Sequence, residues 1–191
     1  MLVLSLDTAT TRASACLWSD GAVIAAIAEV GPRSAQVIVA ALTELVDDRF
    51  RDLDAVAVGV GPGSFTGLRI GIAAARGIGC ALKIPVSGVS SLAALSTPGV
   101  LAVIDARRGE LFVSDGSAEW IAKPAELANE SRPLVGDGAL RYREQFHAAP
   151  IAPDGDLAHT PNAAAIAAHA AAAGFATSSE PRYLRAPDAA A

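Results

Sequence analysis

The sequence predicts an α/β protein in which a mixed β-sheet is covered by helices. Apolar runs of strand length open the chain and then alternate with stretches of helical periodicity, which gives the order βββαβα. A shorter version of this order begins again near residue 99. The 191 residues are 52% hydrophobic with a mean hydropathy of +0.39, which is enough to bury a sizeable core. We therefore expect two lobes, residues 1–98 and 99–191, of which the second is smaller.

The first three strands are predicted to form an antiparallel meander. Residues 2–7 are an apolar run that ends at Asp7, and residues 14–18 and 22–28 are two further runs. Asp20-Gly21 lies between the last two, and an Asp-Gly pair between apolar runs is a strong hairpin signal. The start lacks a basic leader and has the pattern of a strand, so no signal peptide is expected.

Two helices and a buried strand are predicted next. Apolar residues recur at three- and four-residue spacing over residues 34–48, which predicts an amphipathic helix. Residues 55–60 are continuously apolar, as in a strand that is buried on both faces. Residues 66–82 return to helical spacing, and Ser64 or Thr66 is expected to cap this second helix.

The Gly-Pro-Gly turn between the strand and the second helix is the most informative segment of the chain. A backbone turn that leads into a helix N-terminus can hold an anion, but it can equally be a structural or partner-contact loop. No Lys-Ser or Lys-Thr pair follows Gly67, so the segment is not a P-loop. The candidate residues for a nucleotide or phosphate loop are Asp7, Thr8, Thr10, Gly61, Gly63 and Ser64.

Small residues recur every four positions along the second helix, at Gly67, Gly71, Ala75 and Gly79. We call them the glycine stripe. Glycine inside a helix costs about 1 kcal/mol relative to alanine, so close packing must compensate. The stripe is expected to lie either against the protein's own sheet or against a partner's helix, and the sequence leaves both open. Arg69 and Arg76 share a different face, as solvated charges or as the rim of an interface.

The second half is predicted to contain shorter elements. A strand follows Pro85, Ser90 and Ser91 cap a helical turn, and Arg107-Arg108-Gly109 makes a tight turn. The remaining predictions are strands at residues 101–105, 111–114 and 134–135, helices at 124–128 and 139–146, a loop at 147–161, and a last alanine-rich helix capped by Asn162.

The net charge and the positions of the cysteines and histidines argue against nucleic-acid binding and against a metal site. A net charge of −5 argues against nucleic-acid binding by this chain alone. Cys16 and Cys80 are expected to be buried thiols. His147, His159 and His169 lack the spacing of metal ligands and are expected on the surface or on a helix face, so no metal site is predicted. No stretch reaches about 18 unbroken apolar residues, so no membrane span is predicted and the protein is expected to be soluble and cytoplasmic.

Asp7 and Asp105 end the opening strands of the two predicted lobes. They could face each other across a cleft as an acid–base pair, or each could cap its own turn. The sequence favours turn capping but does not decide.

With these segments in order, the chain resembles the TsaB (YeaZ) family, the partner proteins of bacterial threonylcarbamoyl-adenosine tRNA modification. The Gly-Pro-Gly-Ser-Phe-Thr-Gly segment joined to Asp-Ala-Arg-x-Gly-Glu carries the resemblance with high specificity. The matching stretches are residues 4–10, 58–71, 88–92, 104–110, 135–138 and 182–185.

The resemblance implies an actin-like, sugar-kinase-like fold of two ribonuclease-H-like lobes, the second truncated. It implies a non-catalytic subunit that pairs with TsaD and works with the ATPase TsaE, contacting tRNA only through the complex, with a homodimer allowed when TsaD is absent. The implied interface with TsaD is helical and lies in the first lobe, at Val37, Ala41, Gly67, Arg69, Gly71, Ile72, Ala75, Arg76 and Gly79.

At two positions the sequence departs from the family's pattern, and both bear on whether this chain binds a metal or ATP. Where TsaD binds a metal through a histidine pair on the first helix, this chain has Arg33-Ser34-Ala35-Gln36, and Ser34 stands where TsaB-like chains commonly keep one histidine. Ala9 stands where nucleotide-binding members of the superfamily favour glycine. ATP and metal are therefore expected on the partner subunits. The alternative is a stand-alone nucleotide-binding ATPase or small kinase that uses Asp7, Thr8 and Thr10 with the turn at residues 61–64.

Overall fold

The computed structural model describes residues 1–184, and Arg185, the last residue of the matching stretch at 182–185, lies outside them. The elements of the first part are β1 (Leu2–Asp7), β2 (Arg12–Ser19), β3 (Ala22–Val30), α1 (Ser34–Val46), β4 (Ala55–Gly59), α2 (Phe65–Leu82) and β5 (Val86–Val89). Those of the second part are β6 (Leu101–Arg107), β7 (Glu110–Ser114), β8 (Glu119–Ala122), β9 (Leu134–Val135), α3 (Asp137–Arg141) and α4 (Ala163–Ala172).

The first sheet has five strands in the order β3-β2-β1-β4-β5. The predicted meander is confirmed, because β1 pairs antiparallel with β2 and β2 with β3, whereas β1–β4 and β4–β5 are parallel. All five residues of β4 are buried, as its continuous apolar run predicted. Helices α1 and α2 pack together and lie over this sheet. The parallel strands therefore end beside the helix starts, and this edge forms the candidate site.

The second sheet has four strands in the order β8-β7-β6-β9. The sequence analysis predicts no strand at β8, where only three apolar residues follow Glu119. The predicted helix over residues 139–146 is wrong in extent. Helix α3 begins at Asp137 and ends at Arg141, and a 3-10 turn follows at Arg143–Gln145.

Helix α4 corrects the assignment of residues 99–191 to a second lobe. Residue 98 lies in the segment that connects β5 of the first sheet to β6 of the second, as a boundary there predicts. Helix α4, however, comes after the second sheet in the sequence and packs on β1, β2 and β4 of the first. Its buried face shares a core with Val3, Cys16 and Trp18. The Ser5 hydroxyl donates to the Ala163 carbonyl at 2.7 Å. An alanine face lets the helix lie close to the sheet, and Asn162 caps it as predicted, by accepting from the Ala164 amide at 2.9 Å.

Residues 177–184 run back across both lobes. The Gly88 amide donates to the Thr177 carbonyl at 3.3 Å, and the Arg182 amide donates to the Val60 carbonyl at 2.7 Å. The Arg182 guanidinium lies 3.0 Å from the Glu119 carboxylate of β8. This segment therefore covers the β5 edge of the first sheet and ties it to the second.

Of the two alternatives that the sequence left open, the structure supports packing against the protein's own sheet, and the interface that the resemblance implied at the glycine stripe is corrected. Gly67, Gly71, Ala75 and Gly79 are all buried. A Cβ at Gly67 would lie 2.1 Å from the Thr8 carbonyl oxygen, and one at Gly79 would lie 2.2 Å from a Val86 methyl group. The stripe exists because β1, the following turn and β5 approach the helix backbone. Bulky substitutions at Gly71 or Ala75 therefore disturb folding and are poor probes of a partner.

Helix α2 also has the dimensions of a membrane span. By length and composition alone it is the one helix within residues 1–184 that would reach across a bilayer. Core helices of globular proteins have the same length and composition. Here Arg69 and Arg76 occupy the exposed side of α2, and the opposite side packs on β1 and β4.

Candidate functional site

A cavity of about 610 Å³ lies between the two lobes. Its walls come from the loop after β1, the start of α1, the loop before α2, the end of β6 and the segment at residues 182–184. The polar side chains on these walls include Thr10, Ser34, Ser64, Asp105 and Asp137. The cavity therefore borders part of the candidate phosphate loop, at Thr10, Gly63 and Ser64.

Asp7 does not face this cleft. Its side chain is fully buried and accepts from the Ala9 amide at 2.8 Å and from the Ser91 hydroxyl at 2.6 Å. Burial raises the pKa of this carboxyl, and the two hydrogen bonds oppose that rise. A Cβ at Gly59 would collide with the carboxylate, at 1.8 Å, so the pocket around Asp7 is closed by the neighbouring strand.

Asp105 repeats the same turn in the second lobe. It accepts from the Arg107 amide at 2.9 Å, two residues ahead, as Asp7 accepts from Ala9. Unlike Asp7 it lines the cleft, where the Arg107 and Arg141 guanidiniums lie 3.2 and 3.5 Å from it. The turn-capping interpretation of both residues is confirmed, and the two carboxylates are not paired across the cleft.

The predicted phosphate loop is held by contacts within the chain. The Thr8 hydroxyl donates to the Gly67 carbonyl at 2.8 Å, and the Thr10 hydroxyl donates to the Arg12 carbonyl at 2.9 Å. The Ser64 amide donates to the Ala9 carbonyl at 2.6 Å. Ser64 also caps α2 as predicted, by accepting from the Gly67 amide at 3.3 Å.

These contacts divide the candidate phosphate residues into two groups. Thr10, Gly63 and Ser64 line the cleft, whereas Asp7, Thr8 and Gly61 do not, which corrects their assignment to a phosphate site. A Cβ at Gly63 would lie 2.3 Å from the Ala9 carbonyl oxygen, so Gly63 packs on the chain rather than leaving room for a ligand.

Asp137 is a cleft residue that sequence reasoning missed. It opens α3, and its carboxylate accepts from the Asp105 amide at 3.0 Å. Burial raises the pKa of Asp137 to about 6, with a smaller rise from the Asp105 charge and opposing effects from hydrogen bonds and Arg107. The only signal in the sequence was its place in the Gly136-Asp137-Gly138 segment of the family resemblance, to which no role was attached.

Replacing Asp137 with Asn should change how stability depends on pH. The folded carboxyl holds its proton more tightly than the unfolded one, so wild-type stability falls as pH rises from about 4 to about 6. Asparagine keeps an oxygen acceptor for the Asp105 amide without ionising. We expect the variant to exceed wild type by about 1–2 kcal/mol at pH 7 and to match it at pH 4, as measured by urea unfolding. Parallel pH profiles for the two proteins would contradict the assignment.

The mouth of the cleft carries a stacked group of side chains. The Arg69 guanidinium lies 3.6 Å from the centre of the Phe65 ring, and the Tyr183 ring lies 5.7 Å from the same ring. Arg76 lies 2.6 Å from Glu180 in an ion pair. Both arginines of the predicted interface are exposed, but each is already engaged by a residue of its own chain.

The outer face of α1 and α2 carries a groove of about 340 Å³. Phe50 on its wall is 37% exposed. A Cβ at Gly77 would meet no atom within 4 Å, so the groove is open over this residue. The other residues along it are Leu4, Val39, Leu42, Thr43, Ala74 and Ile78. Sequence reasoning passed over Gly77 because it is not part of the four-residue repeat.

The predicted interface residues are therefore split. Gly67, Gly71, Ile72, Ala75 and Gly79 are buried in their own lobe. Those that remain at the surface are Val37, Arg69 and Arg76, with Ala41 half-buried.

Two predictions about cysteine and histidine are wrong. Cys80 is exposed, whereas Cys16 is buried as expected. His159 is fully buried, with one ring nitrogen 3.1 Å from the Gly136 amide and the other 3.1 Å from the Ala152 carbonyl. His147 and His169 are exposed. Over residues 1–184, no group of three or more His, Cys, Asp or Glu side chains is arranged to hold a metal ion.

Sequence comparisons match the chain to proteins that are named for tRNA modification. The profile of the family described as "TsaD: tRNA N6-adenosine threonylcarbamoyltransferase" matches residues 32–130, just over half of the chain. The tRNA threonylcarbamoyladenosine biosynthesis protein TsaB of Escherichia coli is 40% identical over 124 residues, which are 59% of this chain and 53% of that protein. The protein of the same name from Bacillus subtilis is 33% identical over 122 residues, with the same coverage. The chain thus spans about half the length of the curated relatives it matches.

Solved structures match over nearly the whole chain. YeaZ from Pseudomonas aeruginosa has a TM-score of 0.77 and 28% identity, covering 96% of this chain and 99% of that chain. A crystal structure of a protein described as similar to peptidase YeaZ has a TM-score of 0.76, 31% identity and the same coverage. The ethanolamine utilization protein EutJ from Carboxydothermus hydrogenoformans shares the fold at 12% identity and a TM-score of 0.50, covering 87% of this chain and 90% of that chain. The expected actin-like fold is confirmed.

Proposed function

Because the chain belongs to the TsaB (YeaZ) family of tRNA threonylcarbamoyladenosine biosynthesis proteins, we propose that it is the non-catalytic partner of TsaD. In this role it supports transfer of a threonylcarbamoyl group to the adenosine beside the anticodon, in tRNAs that read codons starting with A. The observation that carries the proposal is the structural match with a YeaZ-like protein over 96% of the chain at 31% identity.

The positions of Asp7 and Thr8 support a non-catalytic role for this chain. Asp7 is sealed from the cleft and both of its oxygens accept hydrogen bonds within the chain. Thr8, the next residue, donates to the Gly67 carbonyl. A catalytic carboxylate or phosphate-binding hydroxyl must reach its ligand, and these two groups are directed into the protein.

The exposed face of α1 and α2 is the surface we assign to TsaD. The glycine stripe brings the inner side of α2 against the sheet, which leaves the opposite side and the groove above Gly77 outward. The groove is lined mainly by apolar side chains, among them the exposed Phe50. Apolar grooves between helices are a common site for a partner's helix. The predicted helical interface is thereby moved from the buried stripe to the outer face.

Co-elution with TsaD on size-exclusion chromatography tests this partnership. The two purified proteins are expected to elute together, earlier than either alone. Separate elution at all protein concentrations would contradict the proposal.

The stand-alone nucleotide-binding protein remains the second candidate, because the cleft of about 610 Å³ is large enough for a small ligand. The internal hydrogen bonds of Asp7 and Thr8 argue against it. Calorimetry of the isolated chain is expected to show no heat of binding at millimolar ATP. Measurable affinity that weakens in Asp7→Ala, with the fold intact by circular dichroism, would favour this candidate instead.

The remaining partners follow from the same proposal. The net charge of −5 disfavours independent tRNA binding, so tRNA contact is assigned to the assembled complex. TsaE is expected to act on that complex, with ATP and metal bound by the partner subunits. A tRNA-modifying complex places the chain in the cytoplasm.

A further inference from the structure

The first turns of α1 and α2 open onto the same cavity, the one between the two lobes. Strand β1 pairs antiparallel with β2 and β2 with β3, so β3 runs parallel to β1, as does β4. Helix α1 follows β3 and helix α2 follows β4. Both helices therefore begin at the edge where these parallel strands end, and the positive ends of their dipoles lie at one space.

Each of the two first turns leaves backbone amides without a partner. In α1 the amides of Ala35 and Gln36 have no hydrogen-bond acceptor in the part of the chain that the structure describes, and in α2 the same holds for the two residues after Ser64. Those two residues are Phe65 and Thr66, and all four line the cavity. Neither first turn contains Asp or Glu, so no side chain of the turn balances the dipole. Such amides are donors that an anion can satisfy.

A buried hydroxyl at the start of α1 is a further donor without a partner. Ser34 lines the cavity and is 3% exposed, yet its hydroxyl forms no hydrogen bond with any residue from 1 to 184. Burying a hydroxyl without a partner is unfavourable, and the great majority of buried polar side chains are hydrogen-bonded. An acceptor bound in the cavity would remove this cost. The Ser34 hydroxyl therefore indicates a ligand that the two helix ends alone would not.

The second lobe places positive charge across the cavity from these donors. Arg107 and Arg108 lie between β6 and β7, and both line the cavity. The Asp105 carboxylate beside them lies 3.2 Å from the Arg107 guanidinium and 3.5 Å from that of Arg141. Its charge is thus balanced within the chain. An anion bound at the helix ends therefore faces arginines on the opposite wall.

We propose that the first turns of α1 and α2 form a binding site for one phosphate group, either the free ion or a phosphomonoester of a small metabolite. The Ser34 hydroxyl and the unpaired first-turn amides donate to the phosphate oxygens, and Arg107 and Arg108 balance the charge. The site differs from the predicted phosphate loop, because it includes α1 and uses neither Asp7 nor Thr8.

The charges of the cavity favour a single phosphate over a triphosphate. Asp105 and Asp137 also line the cavity, on the second-lobe wall. A triphosphate chain that starts at the helix ends would bring further negative charge toward these carboxylates. The expected absence of ATP binding therefore agrees with this proposal.

The phosphate site is independent of the proposed role with TsaD. None of Ser34, Gln36 and Thr66 lines the groove between α1 and α2. Phosphate binding is measured on the chain alone, so its failure leaves the tRNA-modification function standing, and the reverse also holds.

Calorimetry of the isolated chain with inorganic phosphate, and separately with glycerol phosphate, tests the site at an ionic strength held constant with potassium chloride. We expect saturable binding, and the tighter of the two ligands identifies the free ion or the ester as the better occupant. Ser34→Ala removes the buried donor, and Gln36→Glu adds a negative charge to the first turn of α1. Each variant should weaken binding by about tenfold or more. Neither side chain forms a hydrogen bond within residues 1–184, so both variants should fold, as circular dichroism would verify.

The matched control is Gln145→Glu, which makes the same change of charge at an exposed glutamine outside the cavity and should bind phosphate like wild type. Three results would each overturn the proposal. They are a wild-type chain that binds neither ligand saturably, binding that is unchanged in Ser34→Ala or in Gln36→Glu, and a Gln145→Glu variant that loses as much affinity as Gln36→Glu.

Discussion

Replacing Gly67 with Ala is expected to lower the free energy of unfolding by about 3 kcal/mol, although alanine is the better helix former. The new Cβ would lie 2.1 Å from the Thr8 carbonyl oxygen. That oxygen belongs to the backbone of the turn after β1, so a side-chain rotation cannot relieve the contact. The turn would have to move away from α2, which would strain the hydrogen bond from the Thr8 hydroxyl to the Gly67 carbonyl. Urea unfolding followed by circular dichroism measures the loss.

Gly77 in the same helix supplies the matched control. A Cβ there meets no atom within 4 Å, so Gly77→Ala should gain the intrinsic helix preference of alanine, about 0.5–1 kcal/mol. The two substitutions are chemically identical and should act in opposite directions. Equal effects, or a Gly67→Ala protein as stable as wild type, would contradict the packing of the glycine stripe against its own lobe.

Gly77→Trp is expected to prevent complex formation with TsaD while leaving the fold intact. The indole would occupy the groove of about 340 Å³ between α1 and α2, which is the surface that we assign to TsaD. Filling the centre of an apolar interface removes its best-packed contacts, so we expect affinity for TsaD to fall by about a hundredfold or more. Titration calorimetry or co-elution with TsaD measures the change.

Gly77→Ala is the control for this variant too, because a single methyl group should leave TsaD binding within about threefold of wild type. If Gly77→Trp is folded and binds TsaD as wild type does, the partner uses another surface and the assignment to the α1–α2 groove is wrong.

The first sheet and its helices were predictable because their signals are local. Helix α2 begins one residue before the predicted start and ends where predicted, at Leu82, since the Ser64 cap and the apolar spacing are both visible in the sequence. The direction of the glycine stripe was not predictable. A row of small residues indicates that another backbone packs closely against the helix. The same spacing is expected whether that backbone is a strand of the same chain or a partner's helix.

The site was less predictable because it depends on contacts between distant segments. Both aspartates accept from the amide two residues ahead, yet only Asp105 lines the cleft, since Ser91 and the β4 strand close over Asp7. His159 is buried because the loop at residue 152 and the turn at Gly136 fold over it. Helix α4 carries an alanine pattern too uniform to indicate which sheet it would cover. None of these outcomes has a periodic signal.

A reconstituted tRNA modification assay tests the central claim most directly. It contains TsaD, TsaE, the threonylcarbamoyl donor and a substrate tRNA, and it adds wild-type chain, the Gly77→Trp variant or neither. We expect threonylcarbamoyl-adenosine to form with wild type and to stay at background in the other two reactions. Equal product without the chain, or full product with a folded Gly77→Trp variant that does not bind TsaD, would contradict the account.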